Sequence, residues 1–456
     1  MKKYDVIVIG SGAGAIISNE AVSQGFKVAL IDRGPLLGGT CLNWGCIPSK
    51  MLIYAADKVV EIEEAEKLGI KATIDSVDFA FIMNRMRESR QASQVHIREA
   101  IKQATNLDFY EGVGFFVGDH LLKVNGKELE ADRIYIASGS RPLVPPIKGL
   151  ANIDYLTNES VLELTEQPES LIIVGGGYVA VEFGHFFAAM GTKVTILEMA
   201  DRLLLTEEIE ISNLLKSKLS KRFDVYTGSL AEEVRGGDNQ VTVIAKDIKT
   251  GKQREFSAQK IMIAVGRVSN ADILKVVNTG IKVDKKDFIL VNKYLETNRR
   301  GIYAVGDANG KQMFRHMANK EAEIVVQNTF YNDKIEVDYS VVPHAVYSYP
   351  QIASVGLTEL QASENHKILV GKVNYLATAK GEAMMEEDGF AKIIVEKDSY
   401  RILGFHIIGP NAPELIQEVV NAMTSGGGIK ELSQGIHIHP ALSELVQYAL
   451  SNLKTA

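Results

Sequence analysis

Cysteine is nearly missing from this chain: of 456 residues only Cys41 and Cys46 are cysteines, five positions apart. A disulfide framework scatters its cysteines along the sequence, so this pair is no such framework. Two thiols without a Cys-x-x-Cys are also only half of a tetrahedral zinc site, and no metal site is read here. Tryptophan occurs once, as Trp44 between the two cysteines. Long apolar runs are absent too. None approaches the ~18 residues of a membrane-spanning helix, so no membrane span is expected. Met1-Lys2-Lys3 is basic, but the apolar run behind it, Val6 to Ile9, is short and enters a glycine motif, so no signal peptide is expected. Positive charge is not in excess: 50 Lys and Arg stand against 57 Asp and Glu, a net charge of −7, which argues against nucleic acid as a partner. Two cysteines and no leader point to a cytoplasmic protein. The rest, 46% hydrophobic and 23% charged, is ordinary for a globular chain, and the length predicts two to four domains.

What the sequence does have is concentrated around the cysteines: Gly38-Gly39-Thr40-Cys41-Leu42-Asn43-Trp44-Gly45-Cys46-Ile47-Pro48-Ser49-Lys50. With frameworks and metals set aside, the pair reads as a redox couple that opens and closes. In a regular helix five residues separate Cα atoms by ~7.5 Å, whereas a disulfide tolerates about 7 Å at most. The stretch must therefore be a turn or a distorted helical turn, and Asn43 and Gly45 supply the freedom for it. Pro48 suits the first turn of a helix, and Lys50-Met51-Leu52-Ile53-Tyr54-Ala55-Ala56 continues one. Cys46 then stands at or beside a helix N-terminus, with Lys50 one turn away. Both favour thiolate, so Cys46 is predicted to be the more acidic thiol and Cys41 the one that exchanges with an outside dithiol or disulfide.

A dinucleotide pattern occurs twice. Val6-Ile7-Val8-Ile9 reads as a buried parallel strand, Gly10-Ser11-Gly12-Ala13-Gly14-Ala15 as G-x-G-x-x-A, and Val28-Ala29-Leu30-Ile31 as a second strand ending at Asp32. Gly10 permits the tight turn, and Gly12 lets backbone N–H groups approach a diphosphate at the helix N-terminus. Asp32 can accept from a ribose hydroxyl. Leu171-Ile172-Ile173-Val174, Gly175-Gly176-Gly177-Tyr178-Val179-Ala180 and Val194-Thr195-Ile196-Leu197, ending at Glu198, repeat the unit. The acid follows the first glycine by 22 residues in one copy and 23 in the other. Between the units, residues 50–105 read as mainly helical and 107–136 as short strands. From about Val342 strands and helices alternate without glycine fingerprints.

The cysteine stretch, written GGTCLNWGCIPSK, resembles the redox-active motif of the pyridine nucleotide–disulfide oxidoreductases, FAD enzymes that include dihydrolipoamide dehydrogenase, glutathione reductase, mycothione reductase and mercuric reductase. Further motifs carry the resemblance over nearly the whole chain: Ile134 to Pro142 (the family's ATGSRP crossover), Ile261 to Arg267 (AVGRxPN, with Ser269 for Pro), Gly301 to Ala308, Pro350 to Glu359, and His437 to Glu444. The resemblance implies that Cys41 attacks the substrate sulfur and that Cys46 donates charge to the flavin. It implies a Lys50–Glu182 pair beside the flavin, Tyr178 as an aromatic gate over it, and Asp307 bonding its ribityl chain. His439 maps to an acid/base, which imidazole suits near neutral pH, and Glu444 to its orienting partner.

FAD is expected in the first unit, since Cys41 of the cysteine motif lies only nine residues beyond Asp32. Its expected contacts are Gly10, Gly12, Ala15, Asp32 and Arg33, then Gly39, Thr40 and Lys50, and then Ser138, Gly139 and Asp307. NAD is expected in the second, at Gly175, Gly177 and Glu198, with Gly266 and Arg267 as further cofactor contacts. Glu198 would repel a 2′-phosphate, which favours NAD over NADP, although Arg202 is close by. Departures from the family pattern are Trp44 for a small apolar residue, Met313-Phe314-Arg315-His316 for MLAH, Ala322 for Gly, and Glu382 for Arg.

The expected fold is α/β, with two Rossmann-like dinucleotide-binding domains, the NAD domain inserted in the FAD domain, and a C-terminal α+β dimerisation domain. The expected limits are 1–145 and 271–341 for the FAD domain, 146–270 for the NAD domain and 342–456 for the interface domain. The expected assembly is a C₂ homodimer with shared active sites. The expected activity is oxidation of dihydrolipoamide, free or tethered to a lipoyl-bearing complex, with NAD⁺. Mercuric reductases carry a further C-terminal cysteine pair that is absent here. One alternative is an NAD(P)H-dependent reductase of a low-molecular-weight disulfide, as in mycothione or glutathione reductase. Another, of a different class, is a non-catalytic flavoprotein scaffold or redox sensor.

Overall fold

The computed structural model describes residues 1–237, 240–331 and 333–455. The apolar run ahead of the first glycine turn forms the strand Lys2–Ile9, in which Val6, Ile7 and Val8 are fully buried. A strand buried on both faces takes parallel neighbours, and this one lies between Val28–Asp32 and Lys127–Ile136, both parallel to it. Leu107–Glu111 continues the sheet on one side and the short strand Ile302–Ala304 pairs with Lys127–Ile136 on the other. The antiparallel strands Phe115–Gly118 and Leu121–Val124 complete a seven-stranded sheet.

The second unit builds its own parallel sheet, in the order Asp224–Thr227, Lys193–Glu198, Ser170–Val174, Lys260–Ile263. Three antiparallel strands, Ser229–Gly237, Gln240–Asp247 and Gln253–Ala258, share a core with it. The chain passes between the two units on the paired strands Ser140–Pro142 and Arg267–Ser269. Ile302–Ala304 then returns it to the first sheet, so the second unit is inserted in the first.

The remainder forms a six-stranded antiparallel sheet, His344–Val346, Ile352–Gly356, Ile402–Ile408, Phe390–Glu396, Ile368–Asn374 and Lys454–Thr455, on which the helices Ala412–Thr424 and Glu444–Ser451 pack. Lys392 is buried in this sheet. Its ammonium reaches Glu208 and Glu210 at 3.0 Å each and Glu359 at 2.6 Å. Glu208 and Glu210 stand at the start of the helix Ile209–Leu219 of the second unit, so one lysine gathers three carboxylates and ties that unit to the last sheet. We propose 1–145, 146–270, 271–341 and 342–456 as domain limits on this arrangement. No helix among the described residues is long and apolar enough to cross a membrane.

Candidate active site

The cysteine stretch folds as two helices with a break between them. Gly38, at φ +91°, leads into the short helix Gly39–Asn43. Trp44 and Gly45 leave helical geometry, and Cys46 is the first residue of the helix Cys46–Glu63. Cys41 and Cys46 therefore sit on different helices, as their spacing requires, and both are free thiols. The Cys41 thiol donates a hydrogen bond to Cys46. That bond, together with the Lys50 ammonium, outweighs burial and brings Cys46 down to about 7. The same bond and burial push the Cys41 thiol up. The predicted order of acidity follows.

Lys50 Nζ lies 2.7 Å from Glu182 Oε2 and 4.6 Å from the centre of the Tyr347 ring. Glu182 Oε1 accepts from the Tyr347 backbone N–H at 3.0 Å. Two turns further along the cysteine helix, His185 Nε2 bonds Asp57 at 2.8 Å, and its Nδ1 faces Arg222 Nη1 at 2.8 Å. A guanidinium only donates, so Nδ1 accepts and Nε2 carries the proton. Burial keeps this imidazole neutral. Two polar rungs thus lock the cysteine helix to the helix Tyr178–Ala189. Lys50→Met strands the buried Glu182 carboxylate. It should lower the unfolding free energy by about 1–3 kcal/mol, and Glu182→Gln in the same background should restore part of it. A urea-denaturation double-mutant cycle checks this; strict additivity would mean the pair is not coupled.

A cavity of about 840 Å³ opens beside the cysteines. Gly10, Gly12, Asp32 and Arg33 of the first unit line it, as do Gly39, Thr40 and Lys50 of the cysteine stretch. Ser138 and Gly139 enter from the crossover, and Tyr178, Arg267 and Asp307 close the far side. Ala15 does not line it. The helix packs close on the sheet at Gly14, where a Cβ would stand 2.8 Å from Val8 Cγ1; the motif reading gave this glycine no role.

The fit of FAD to these residues can be judged from the cradle itself. Gly10, at φ +101°, has no room for a side chain: its Cβ would meet Ala137 O at 2.2 Å. A Cβ on Gly39 would stand 2.8 Å from Gly12 Cα, so the two glycine turns touch and any side chain would fill the space between them. Asp32 braces the turn, accepting from Ser11 N at 2.8 Å, Ser11 Oγ at 2.6 Å and Gly34 N at 3.1 Å. A carboxylate has about four acceptor sites, so room remains for a ribose hydroxyl. Ser138 Oγ is buried and has no partner among the described residues. A dinucleotide would fill this cradle and satisfy that hydroxyl.

Opposite the glycine turns, Ser140 Oγ donates to Asp307 at 2.5 Å and accepts from Arg267 Nε at 2.6 Å. Glu321, its carboxyl pushed up by burial, accepts from Gly306 N at 2.6 Å and Asn309 Nδ2 at 2.8 Å and so fixes the turn that carries Asp307. Neither Ser140 nor Glu321 was singled out from sequence; a lone polar residue 15 positions beyond the turn it fixes gives no motif to read. Trp44 packs under the Arg33 guanidinium at 5.2 Å, and its carbonyl accepts from Asn158 at 2.9 Å.

Gly175, Gly177, Glu198 and Gly266 stand outside this cavity, at the carboxyl ends of the second parallel sheet, where open α/β sheets bind ligands. Gly175, at φ +120°, touches the neighbouring strand: a Cβ would lie 2.3 Å from Ala264 O. A Cβ on Gly176 would stand 2.7 Å from Glu198 Oε2. Glu198 Oε1 accepts from Ala200 N at 2.6 Å, whereas Arg202 turns to Leu205 O at 3.0 Å.

His439 is not beside the cysteines of its own chain. Its side chain is 68% exposed, and its Nδ1 lies 2.9 Å from Glu444 Oε1. Glu444 also accepts from Ala441 N at 3.0 Å, and the His439 hydrogen bond holds its carboxyl below the ordinary range. A carboxylate only accepts, so Nδ1 carries a proton, and Nε2 has no hydrogen-bond partner among the described residues. His437, two residues earlier, bonds Glu418 at 2.7 Å and anchors the same loop.

Comparison with known proteins agrees with this geometry. The family profile described as "Pyridine nucleotide-disulphide oxidoreductase" matches residues 4–322, and that of the family's dimerisation domain matches residues 342–450. Mycothione reductase from Mycobacterium tuberculosis (strain ATCC 25618 / H37Rv) is 35% identical over 467 aligned residues, covering 100% of both chains. Dihydrolipoyl dehydrogenase from Bacillus subtilis (strain 168) is 33% identical, covering 97% of this chain and 96% of that one. Among solved structures, the HOCl-induced flavoprotein disulfide reductase RclA from Escherichia coli superposes with a TM-score of 0.86 at 29% identity, over 97% of this chain and 98% of that one.

Proposed function

The chain belongs to the pyridine nucleotide-disulphide oxidoreductases, flavoproteins that use FAD and a pyridine nucleotide, and we propose that it exchanges electrons with a small dithiol or disulfide through Cys41 and Cys46. With the family's dimerisation domain it forms a homodimer. The observation that carries the proposal is the thiol pair: two cysteines across a helix break, hydrogen-bonded to each other and of unequal acidity, at the wall of the cavity.

In the oxidised pair, a substrate thiolate attacks Cys41 Sγ and the Cys41–Cys46 bond breaks. Cys46 leaves as thiolate, the better leaving group because it is the more acidic. The second substrate thiolate then attacks the substrate sulfur bonded to Cys41, and Cys41 leaves. His439 of the partner subunit takes the proton of the attacking thiol in the first exchange and gives it to Cys41 in the second, while the proton of the second substrate thiol passes to solvent. The substrate has lost two electrons and closed a disulfide; the protein pair has gained them. FAD and the pyridine nucleotide, when bound, supply the hydride chemistry that carries this electron pair onward.

Within the family the reading best supported is dihydrolipoamide oxidation with NAD⁺, on a free or tethered lipoyl group. The sequence has no third cysteine to relay electrons, so the dithiol must reach Cys41 directly. On this reading Glu198 faces the nucleotide ribose, where its carboxylate would repel a 2′-phosphate; it accepts from Ala200 N, and Arg202 is engaged with Leu205 O. A second reading, reduction of a bulky low-molecular-weight disulfide with NAD(P)H, is favoured by the full-length 35% identity to a mycothione reductase. Steady-state assays with lipoamide, glutathione disulfide and a mycothiol-type disulfide, each with both nicotinamides, separate the two. Dihydrolipoamide with NAD⁺ should show a specificity constant at least about tenfold above that with NADP⁺. Preference for NADPH and a bulky disulfide would overturn the substrate assignment and leave the thiol exchange standing.

A further inference from the structure

Four guanidinium and ammonium groups line the main cavity, and three of them have acidic partners. Lys50 lies 2.7 Å from Glu182, Arg33 lies 3.7 Å from Glu159, and Arg267 lies 3.6 Å from Asp307. The fourth is Arg315, the first residue of the helix Arg315–Phe330. Among the described residues it donates no hydrogen bond and has no carboxylate within 4.0 Å, although it is half-buried. It stands where the family pattern has an uncharged alanine, so its charge is not part of the common motif.

Its position says what kind of group would complete it. Arg315 Nη1 lies 3.7 Å from the point at which a Cβ on Gly12 would stand, and Gly39 Cα lies 3.6 Å from that same point. The guanidinium is therefore set against the contact between the two glycine turns. The helix Gly14–Ser23 begins two residues after Gly12, so the positive end of its dipole faces the same volume. Asp32, the carboxylate of the first glycine unit that lines the cavity, is held by Ser11 and Gly34 and does not pair with Arg315. An unmatched cation and an N-terminal helix end converge where side chains have been cleared away. The group that fits is a diphosphate.

We propose that Arg315 clamps the diphosphate of FAD against the Gly12–Gly39 contact, adding a side-chain charge to a cradle otherwise made of backbone. This rests on FAD occupying the first glycine unit. The clamp predicts a flavin held partly by charge, and so with a retention that depends on salt. A guanidinium offers two parallel N–H donors to phosphate oxygens, which an ammonium cannot.

The test uses the purified holoenzyme and the variants Arg315→Met and Arg315→Lys. Each is diluted into FAD-free buffer, and release is followed by the rise of flavin fluorescence. Trp44 gives a second signal, because it is the only tryptophan and lines the same cavity, where bound flavin quenches it. At low salt Arg315→Met should release FAD at least about tenfold faster than the unsubstituted protein, the scale of one charge-assisted phosphate contact. The difference should shrink as salt rises, since screening removes the same contact in the unsubstituted protein. Arg315→Lys should release at an intermediate rate and keep the salt dependence. That rescue separates a charge contact from general loosening, and it stands even if the methionine variant folds poorly.

Equal release from all three proteins, or a faster release that salt does not narrow, would overturn the proposal. So would unchanged release accompanied by a shift in the pH at which the cysteine thiolate forms, because Arg315 would then serve Cys41, whose thiolate its charge also favours. Unsubstituted protein that holds no flavin would break the family-level reading itself, a result distinct from either of these.

Discussion

Cys41→Ser should abolish dithiol turnover, by roughly 10³-fold or more, while the holoenzyme keeps a long-wavelength absorbance; Cys46→Ser should lose both. The distinction follows from the unequal thiols. Only thiolate gives charge-transfer absorbance beside an oxidised flavin, and Cys46 is the thiol brought down to about 7. A serine hydroxyl at position 41 still donates to Cys46, so the thiolate survives in that variant. Alanine cannot donate, and Cys41→Ala should move the thiolate midpoint upward. The sign with pH is fixed. Protonation removes the absorbing species, so the band should fade as pH drops through about 7 and be complete above it. Lys50→Met removes the next favourable charge and should shift the midpoint upward as well. A spectrophotometric titration of each variant measures these midpoints. A band that survives Cys46→Ser and disappears with Cys41→Ser would reverse the assignment.

The residues that could be read in advance are those whose chemistry is local in sequence. Two cysteines five positions apart cannot be bridged on one regular helix, and the chain breaks at Trp44–Gly45. Glycines at turns declare themselves because a side chain there would collide with the next strand, as at Gly10 and Gly175. Contacts assembled across the chain had no such signature. Ser140, Arg267 and Asp307 meet from places 127 and 167 residues apart. His185 finds Asp57 across 128 residues, and nothing in the local sequence distinguishes it from an ordinary core histidine. Arg315 was visible only as a departure from a motif; its meaning came from the glycine backbone opposite. The substrate is less legible still. The described cavity is the one proposed to hold the cofactor, while the proposed acid/base would come from another subunit.

His439→Ala should slow dithiol oxidation by roughly 10²–10⁴-fold, the range of a positioned acid/base. Within one chain His439 cannot do this work. It is 68% exposed and does not line the cavity beside Cys41. Ile436 and Ile438, at 101% and 77% exposure, flank it on a loop of the dimerisation domain. Two large apolar residues standing in water are a poor end state, and a two-fold partner would cover them and carry His439 toward the other cysteine pair. The orientation is already set. Glu444 holds Nδ1–H, which leaves Nε2 as the ring nitrogen to take a thiol proton and return it. Glu444→Gln keeps an acceptor but removes the charge that stabilises the imidazolium, and should lower turnover less than His439→Ala. Sharing of sites makes a stronger demand. Inactive Cys41→Ser and His439→Ala homodimers, mixed and allowed to exchange subunits, form hybrids in which one of two sites has both residues intact. Activity should appear on mixing and reach about a quarter of the unsubstituted value when random exchange is complete, since half of the dimers are then hybrids with one working site. No recovery, with exchange verified by differently tagged subunits, would place His439 in its own chain's chemistry or outside the reaction altogether.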